Sequence, residues 1–177
     1  MNKIFKLTVI LFLVCAIVAG VLGIVYNITS GPIAQQQKEK TIRAYNAVMK
    51  SDGFTAVPAE KYADSRTINL IEKADNGAGY VVNSTFSGAQ GSITMVVGVD
   101  NDLKCTGISI ISHSETSGLG AVAASASAKG EAFRASFIGK AGDLTVSDID
   151  AISGATITSK AVTNAVAASI AAVEALG

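Results

Sequence analysis

Gly79-Tyr-Val-Val-Asn-Ser-Thr-Phe86, Gly91-Ser-Ile-Thr-Met-Val-Val-Gly-Val99 and Cys105-Thr-Gly-Ile-Ser-Ile-Ile-Ser112 are three segments rich in β-branched and aromatic residues. Ser87-Gly88-Ala89-Gln90 separates the first two, and Asp100-Asn101-Asp102 supplies turn residues before the third. Runs of this composition bounded by Gly, Asn, Asp and Ser read as strands. Joined by such short turns they make an antiparallel meander, which must bury its apolar face under a helix or a second sheet. A weaker strand signal lies upstream, around Thr67 to Ile71. Downstream, Ala121 to Lys140 reads as mostly helical with Phe133, Phe137 and Ile138 as core contacts, and the segment after Gly154 supplies another helix. The expected fold class is α+β, an antiparallel sheet flanked by helices.

Toward the N-terminus, Leu7 to Tyr26 forms twenty consecutive positions without a charge. That matches the ~20 residues needed to cross a bilayer core as a helix, and it exceeds the roughly 7–15 apolar residues of a cleaved signal peptide. An uncleaved single-pass anchor in contact with membrane lipid is expected. Lys3 and Lys6 precede the span and the next basic residue is Lys38, so the positive-inside tendency puts the N-terminus in the cytoplasm and the body outside the cell membrane. Ser30-Gly31-Pro32 reads as a helix start leading into Ile33 to Met49, and Ser51-Asp52-Gly53 breaks that pattern. The expected organisation is an anchor over residues 1–29, a membrane-proximal helix over 30–53 and a domain over 54–177.

The composition excludes several functions. The 14 basic and 14 acidic residues cancel, so the global basic field of a nucleic-acid-binding protein is absent and no nucleic-acid partner is expected. The two cysteines, Cys15 and Cys105, form no CxxC pair and the chain has a single histidine, His113. No protein-ligated metal is expected, and both cysteines should be free thiols. No Gly-x-Ser-x-Gly elbow, Walker-type phosphate loop or Gly-x-Gly-x-x-Gly fingerprint occurs.

Two stretches carry candidate chemistry. Ser112-His113-Ser114-Glu115-Thr116-Ser117-Gly118-Leu119-Gly120 follows the third strand, and its glycines suit either a plain strand-to-helix connection or a backbone that approaches a ligand closely. His113, without a nearby partner for acid–base or metal work, reads as structural. Asp150-Ala-Ile-Ser153-Gly154-Ala155-Thr156-Ile-Thr158-Ser-Lys160 reads as a helix start, whose hydroxyls serve either to cap the exposed N–H groups or to help hold a phosphate there.

Asp150-x-x-Ser153-Gly154-Ala155-Thr156 resembles the signature on which a flavin transferase attaches FMN by a phosphoester to the last hydroxyl. Gly79-Tyr80-Val81, Val96 to Asp100, Gly107-Ile108 and His113 to Gly120 resemble the FMN-binding domain of the RnfG family of the Rnf electron-transport complex and of its relative NqrC, with Ser117 where the family usually has proline. The length favours the Rnf type. The resemblance implies covalent FMN on Thr156, with Ser153, Gly154, Ala155 and Thr158 around the phosphate. It implies that Glu115, Thr116, Gly118, Leu119 and Gly120 meet the ring. Asp150, Ser153, Gly154, Ala155 and Thr156 would be read by the transferase. The implied role is an electron-transfer subunit beside the other Rnf subunits (A, B, C, D and E) in an ion-translocating ferredoxin:NAD⁺ oxidoreductase, a redox subunit and not a stand-alone enzyme. The alternative is an anchored extracytoplasmic flavoprotein of another redox chain, NqrC-like or a donor to surface reductases.

Overall fold

The structure is a computed structural model and describes residues 3–58, 60, 62 and 67–176. It comprises two compact units, Met1–Lys40 and Thr41–Gly177. The first is the greater part of α1, a helix running Lys3–Val48. It contains an 18-residue window of mean hydropathy 3.0, long and apolar enough to cross a membrane. Its large apolar side chains are exposed, Phe12 at 70% and Leu22 at 63% among them, as suits a helix with lipid for a solvent.

The helix start expected at Ser30-Gly31-Pro32 is not a start: Pro32 lies inside the continuous α1. Proline removes one backbone donor there and leaves the carbonyl four residues earlier without its helical partner. Just before it, the Thr29 hydroxyl donates to the Val25 carbonyl at 2.7 Å and the Ser30 hydroxyl to the Asn27 carbonyl at 3.3 Å.

In the second unit, β1 (Phe54–Ala56), β2 (Ile68–Ala74), β3 (Gly79–Ser87), β4 (Ser92–Asp100) and β5 (Cys105–His113) form one sheet in sequence order. Every neighbouring pair is antiparallel. The expected three-strand meander is therefore part of a five-strand one. Cross-strand partners Tyr80–Val99, Val82–Val97 and Ser84–Met95 put alternate residues on one face, and Val81–Gly98 and Asn83–Val96 put the others opposite.

Both faces are covered, which explains why the central strands are apolar on both sides. On one face Val82, Met95, Val97 and Val99 pack with Phe133, Phe137, Val162, Val166 and Ile170. These last come from α2 (Ala128–Ala135), the turn after it and α3 (Thr156–Glu174). On the other, Val81, Val96 and Ala74 pack against Ala44, Tyr45, Val48 and Met49 from the end of α1. Gly98 permits that approach, because a Cβ there would lie 2.9 Å from the Val48 carbonyl oxygen and 3.2 Å from Val48 Cβ. The Thr106 hydroxyl then donates to the same carbonyl at 2.6 Å and satisfies the end of the helix.

The stretch Ala121 to Lys140 is less helical than expected. It holds a short 3-10 helix, Gly120–Ala124, then α2, whose start is capped by the Ser127 hydroxyl accepting from Gly130 N–H. Between them the chain turns, and Arg134 donates to the carbonyls of Ala123 (2.6 Å) and Ser125 (2.9 Å) that the interrupted helix leaves free. Phe133 and Phe137 are buried edge to face, 5.3 Å between centroids. Ile138, expected in the core, is 58% exposed. Cys15 and Cys105 are free thiols, and burial pushes the Cys105 thiol up to about 12.

Candidate functional site

A cleft of about 330 Å³ opens where three distant segments meet: Ala89 and Gln90 from the β3–β4 turn, Glu115, Thr116, Leu119 and Gly120 after β5, and Gly154 to Thr158 at the start of α3. Its volume lies in the range of small-ligand sites. The third segment is guided into place by a capping box, in which the Asp148 carboxylate accepts from Thr145 N–H at 2.9 Å. Ile149 and Ile152 then anchor it in the core. Gly154 turns the chain with φ +81, a left-handed conformation that favours glycine.

The hydroxyls around this turn divide into two kinds. Ser159 is fully buried and works locally, accepting from Ile152 N–H (3.1 Å) and donating to the Ala155 carbonyl (3.0 Å). Thr158 is 1% exposed and donates to a Glu115 carboxylate oxygen. Thr156, by contrast, is exposed at the first position of α3. Ala155 precedes it as the cap residue and offers no side-chain cap. The first N–H groups of α3 have no intrahelical acceptors, and Thr156, Ile157 and Thr158, the residues that carry them, line the cleft at the positive end of the helix dipole. Of the two sequence readings of this stretch, side-chain capping is not realised.

Glu115 is 8% exposed. One carboxylate oxygen accepts from Ala89 N–H (2.8 Å) and Gln90 N–H (3.1 Å), and the other from Thr158. Burial pulls its pKa upward, but the Thr158 hydroxyl, the two N–H donors and then the charge interaction with His113 outweigh it, and the carboxyl is held below its ordinary value. A Cβ at Gly120 would overlap the same carboxylate and the Thr158 hydroxyl, so that glycine keeps the clamp closed. His113 is exposed, and its Nδ1 accepts Glu115 N–H at 3.2 Å.

The structure thus brings Glu115, Thr116, Leu119, Gly120, Gly154, Ala155, Thr156 and Thr158 to one cleft. Gly118, Asp150 and Ser153 line a neighbouring cleft of about 410 Å³, floored by Val122, Ala132, Phe133 and Ile152. The sequence reading missed Ala89, Gln90 and Ile157. The first two were visible only as turn residues, because what Ala89 and Gln90 give to Glu115 is backbone N–H. Among the described residues no cluster of three or more metal-ligating side chains occurs.

Residues 88–171 match the FMN-binding domain family, and residues 1–48 match the RnfG N-terminal region. The second unit therefore contains an FMN-binding domain, preceded in the chain by an apolar N-terminal helix. The chain is 38% identical over 178 residues to the G subunit of the proton-translocating ferredoxin:NAD(+) oxidoreductase complex of Clostridium ljungdahlii, an alignment covering 93% of this chain and 89% of that protein. It is 35% identical over 189 residues to the G subunit of the Na(+)-translocating ferredoxin:NAD(+) oxidoreductase complex of Acetobacterium woodii, covering 94% and 90%. Identity to the G subunit of the ion-translocating oxidoreductase complex of Methanosarcina acetivorans is 31% over 180 residues, covering 93% and 91%. The chain belongs to the RnfG family.

The residues present fit FMN. An uncapped helix start suits a phosphate, the exposed Thr156 is its first residue, and Leu119, 46% exposed and packed close to Gly154, offers an apolar surface to a flat ring.

Proposed function

We propose that this chain is the membrane-anchored electron-transfer subunit of the RnfG type in an Rnf ion-translocating complex and carries FMN esterified through its phosphate to Thr156. The single observation that carries the reading is the exposed Thr156 hydroxyl at an uncapped helix start on the cleft. When bound, FMN supplies the redox chemistry, and the protein sets its position and potential.

Each residue then has a task. Thr156 holds the phosphate by a covalent bond, so the cofactor is not lost by dilution outside the cell. The first N–H groups of α3 stabilise the remaining phosphate charge. Leu119 and Ile157, 46% and 65% exposed, present apolar surface beside the attachment point. Gly154 lets the backbone come close. Asp150 and Ser153, on the neighbouring cleft, leave part of the signature open to the flavin transferase, while Thr156 lines the first cleft. Residues 7–26 anchor the protein with its N-terminus in the cytoplasm and its flavin domain outside, beside the other Rnf subunits (A, B, C, D and E).

Co-expression with a flavin transferase gives a band in a denaturing gel that fluoresces under ultraviolet light, and the intact mass rises by one FMN. Thr156→Ala abolishes both signals. Fluorescence that survives this substitution would sink the assignment.

A further inference from the structure

Glu115 is the single charged side chain lining the cleft among the described residues. Holding the β3–β4 turn against α3 does not by itself require a charge. A glutamine could accept from Ala89 and Gln90 N–H with its oxygen and donate to the Thr158 hydroxyl with its amide. What a carboxylate adds is a fixed negative charge. Among the described residues no cation lines the cleft, and His113 lies outside the lining, its Nδ1 accepting Glu115 N–H. The charge is instead held by three donors, Ala89 N–H, Gln90 N–H and the Thr158 hydroxyl, and by the positive end of α3, whose third residue is Thr158. Against the upward pull of burial, the Thr158 hydroxyl, the Gln90 and Ala89 N–H groups and the charge interaction with His113 hold its pKa below the ordinary carboxylate value, so it stays ionised near neutral pH.

We propose that Glu115 sets the redox potential of the flavin on Thr156, acting as a locked negative charge that disfavours the reduced ring. The inference rests on the attachment proposed above. Reduction of the flavin adds two electrons, and when fewer than two protons follow, the ring gains negative charge that a fixed neighbouring anion opposes. The effect is strong where water is excluded, because the local dielectric is low. Glu115 is therefore a positioning and potential-setting residue, while Thr156 is the residue that bears the cofactor.

The test uses the full-length chain, labelled by its transferase, purified in detergent and titrated with dithionite against a reference dye. Glu115→Gln keeps the hydrogen-bonded shape and removes the charge. Its two-electron midpoint should rise by a tenfold change in equilibrium constant or more, about 30 mV. Thr158→Val keeps the charge and removes one bond, and its midpoint should stay at the wild-type value. Glu115→Asp withdraws the charge by one methylene and should raise the midpoint part of the way, which decides the matter if the glutamine variant takes up no flavin. A wild-type midpoint in a fully labelled Glu115→Gln or Glu115→Asp protein overturns the inference, as does a rise in Thr158→Val equal to that of Glu115→Gln. Absence of label on the wild-type chain would instead remove the attachment itself, and the in-gel fluorescence read before titration separates the two failures.

Discussion

Glu115 and Thr158 stand 43 residues apart in the chain and share one hydrogen bond in the core of the cleft. The pairing has a pH signature. The folded-state pKa of Glu115 is depressed, so its contribution to stability is full above the unfolded value, about 4.3, and is lost as pH falls through the folded one. Urea unfolding below about pH 4.5 should therefore show wild-type stability falling more steeply with acidification than that of Glu115→Gln. Part of the candidate cleft was legible residue by residue: Thr156, Leu119, Gly120 and Gly154 line it, whereas Gly118 lines the neighbouring one. What sequence could not separate was the hydroxyl that faces out, Thr156, from the one that faces in, Thr158. Two positions along a helix rotate a side chain by more than half a turn, and only the packed core says which side is inside.

The elements show where patterning carries information and where it fails. Strands β3, β4 and β5 were legible because β-branched runs between turn residues have few other uses. The three residues of β1 were too short to show any period. The expected long helix over 121–140 failed because Ser125 and Ser127 offer the backbone hydrogen bonds outside a helix. The continuity of α1 through Pro32 was hidden because a proline near a helix start and one inside a helix look alike in sequence. Where α1 meets the sheet, contact depends on Gly98. Gly98→Ala would press a methyl group onto Val48 and the Thr106 hydroxyl, and overpacking of this kind costs roughly 1–3 kcal/mol. A thermal melt of the variant should show a clearly lowered midpoint, and an unchanged one would mean that the helix end yields without loss.

At the scale of the molecule, both apolar clusters lie within Thr41–Gly177 and the cleft lies there too. A fragment spanning 41–177 should accordingly stay soluble without detergent, unfold in urea in one cooperative transition and accept flavin at Thr156, whereas the full chain requires detergent. Aggregation or gradual unfolding of the fragment would show that the first forty residues are needed for more than anchoring. The clamp at the centre of this unit has a further meaning for electron transfer. Both oxygens of Glu115, the Thr158 hydroxyl and the N–H groups of Ala89 and Gln90 are already bonded to one another. Dipoles tied down in this way have little freedom to swing when a neighbouring charge appears or leaves. If the flavin sits here as proposed, a cleft wall of this build would keep the nuclear rearrangement that accompanies each electron small, lowering the barrier to both its arrival and its departure.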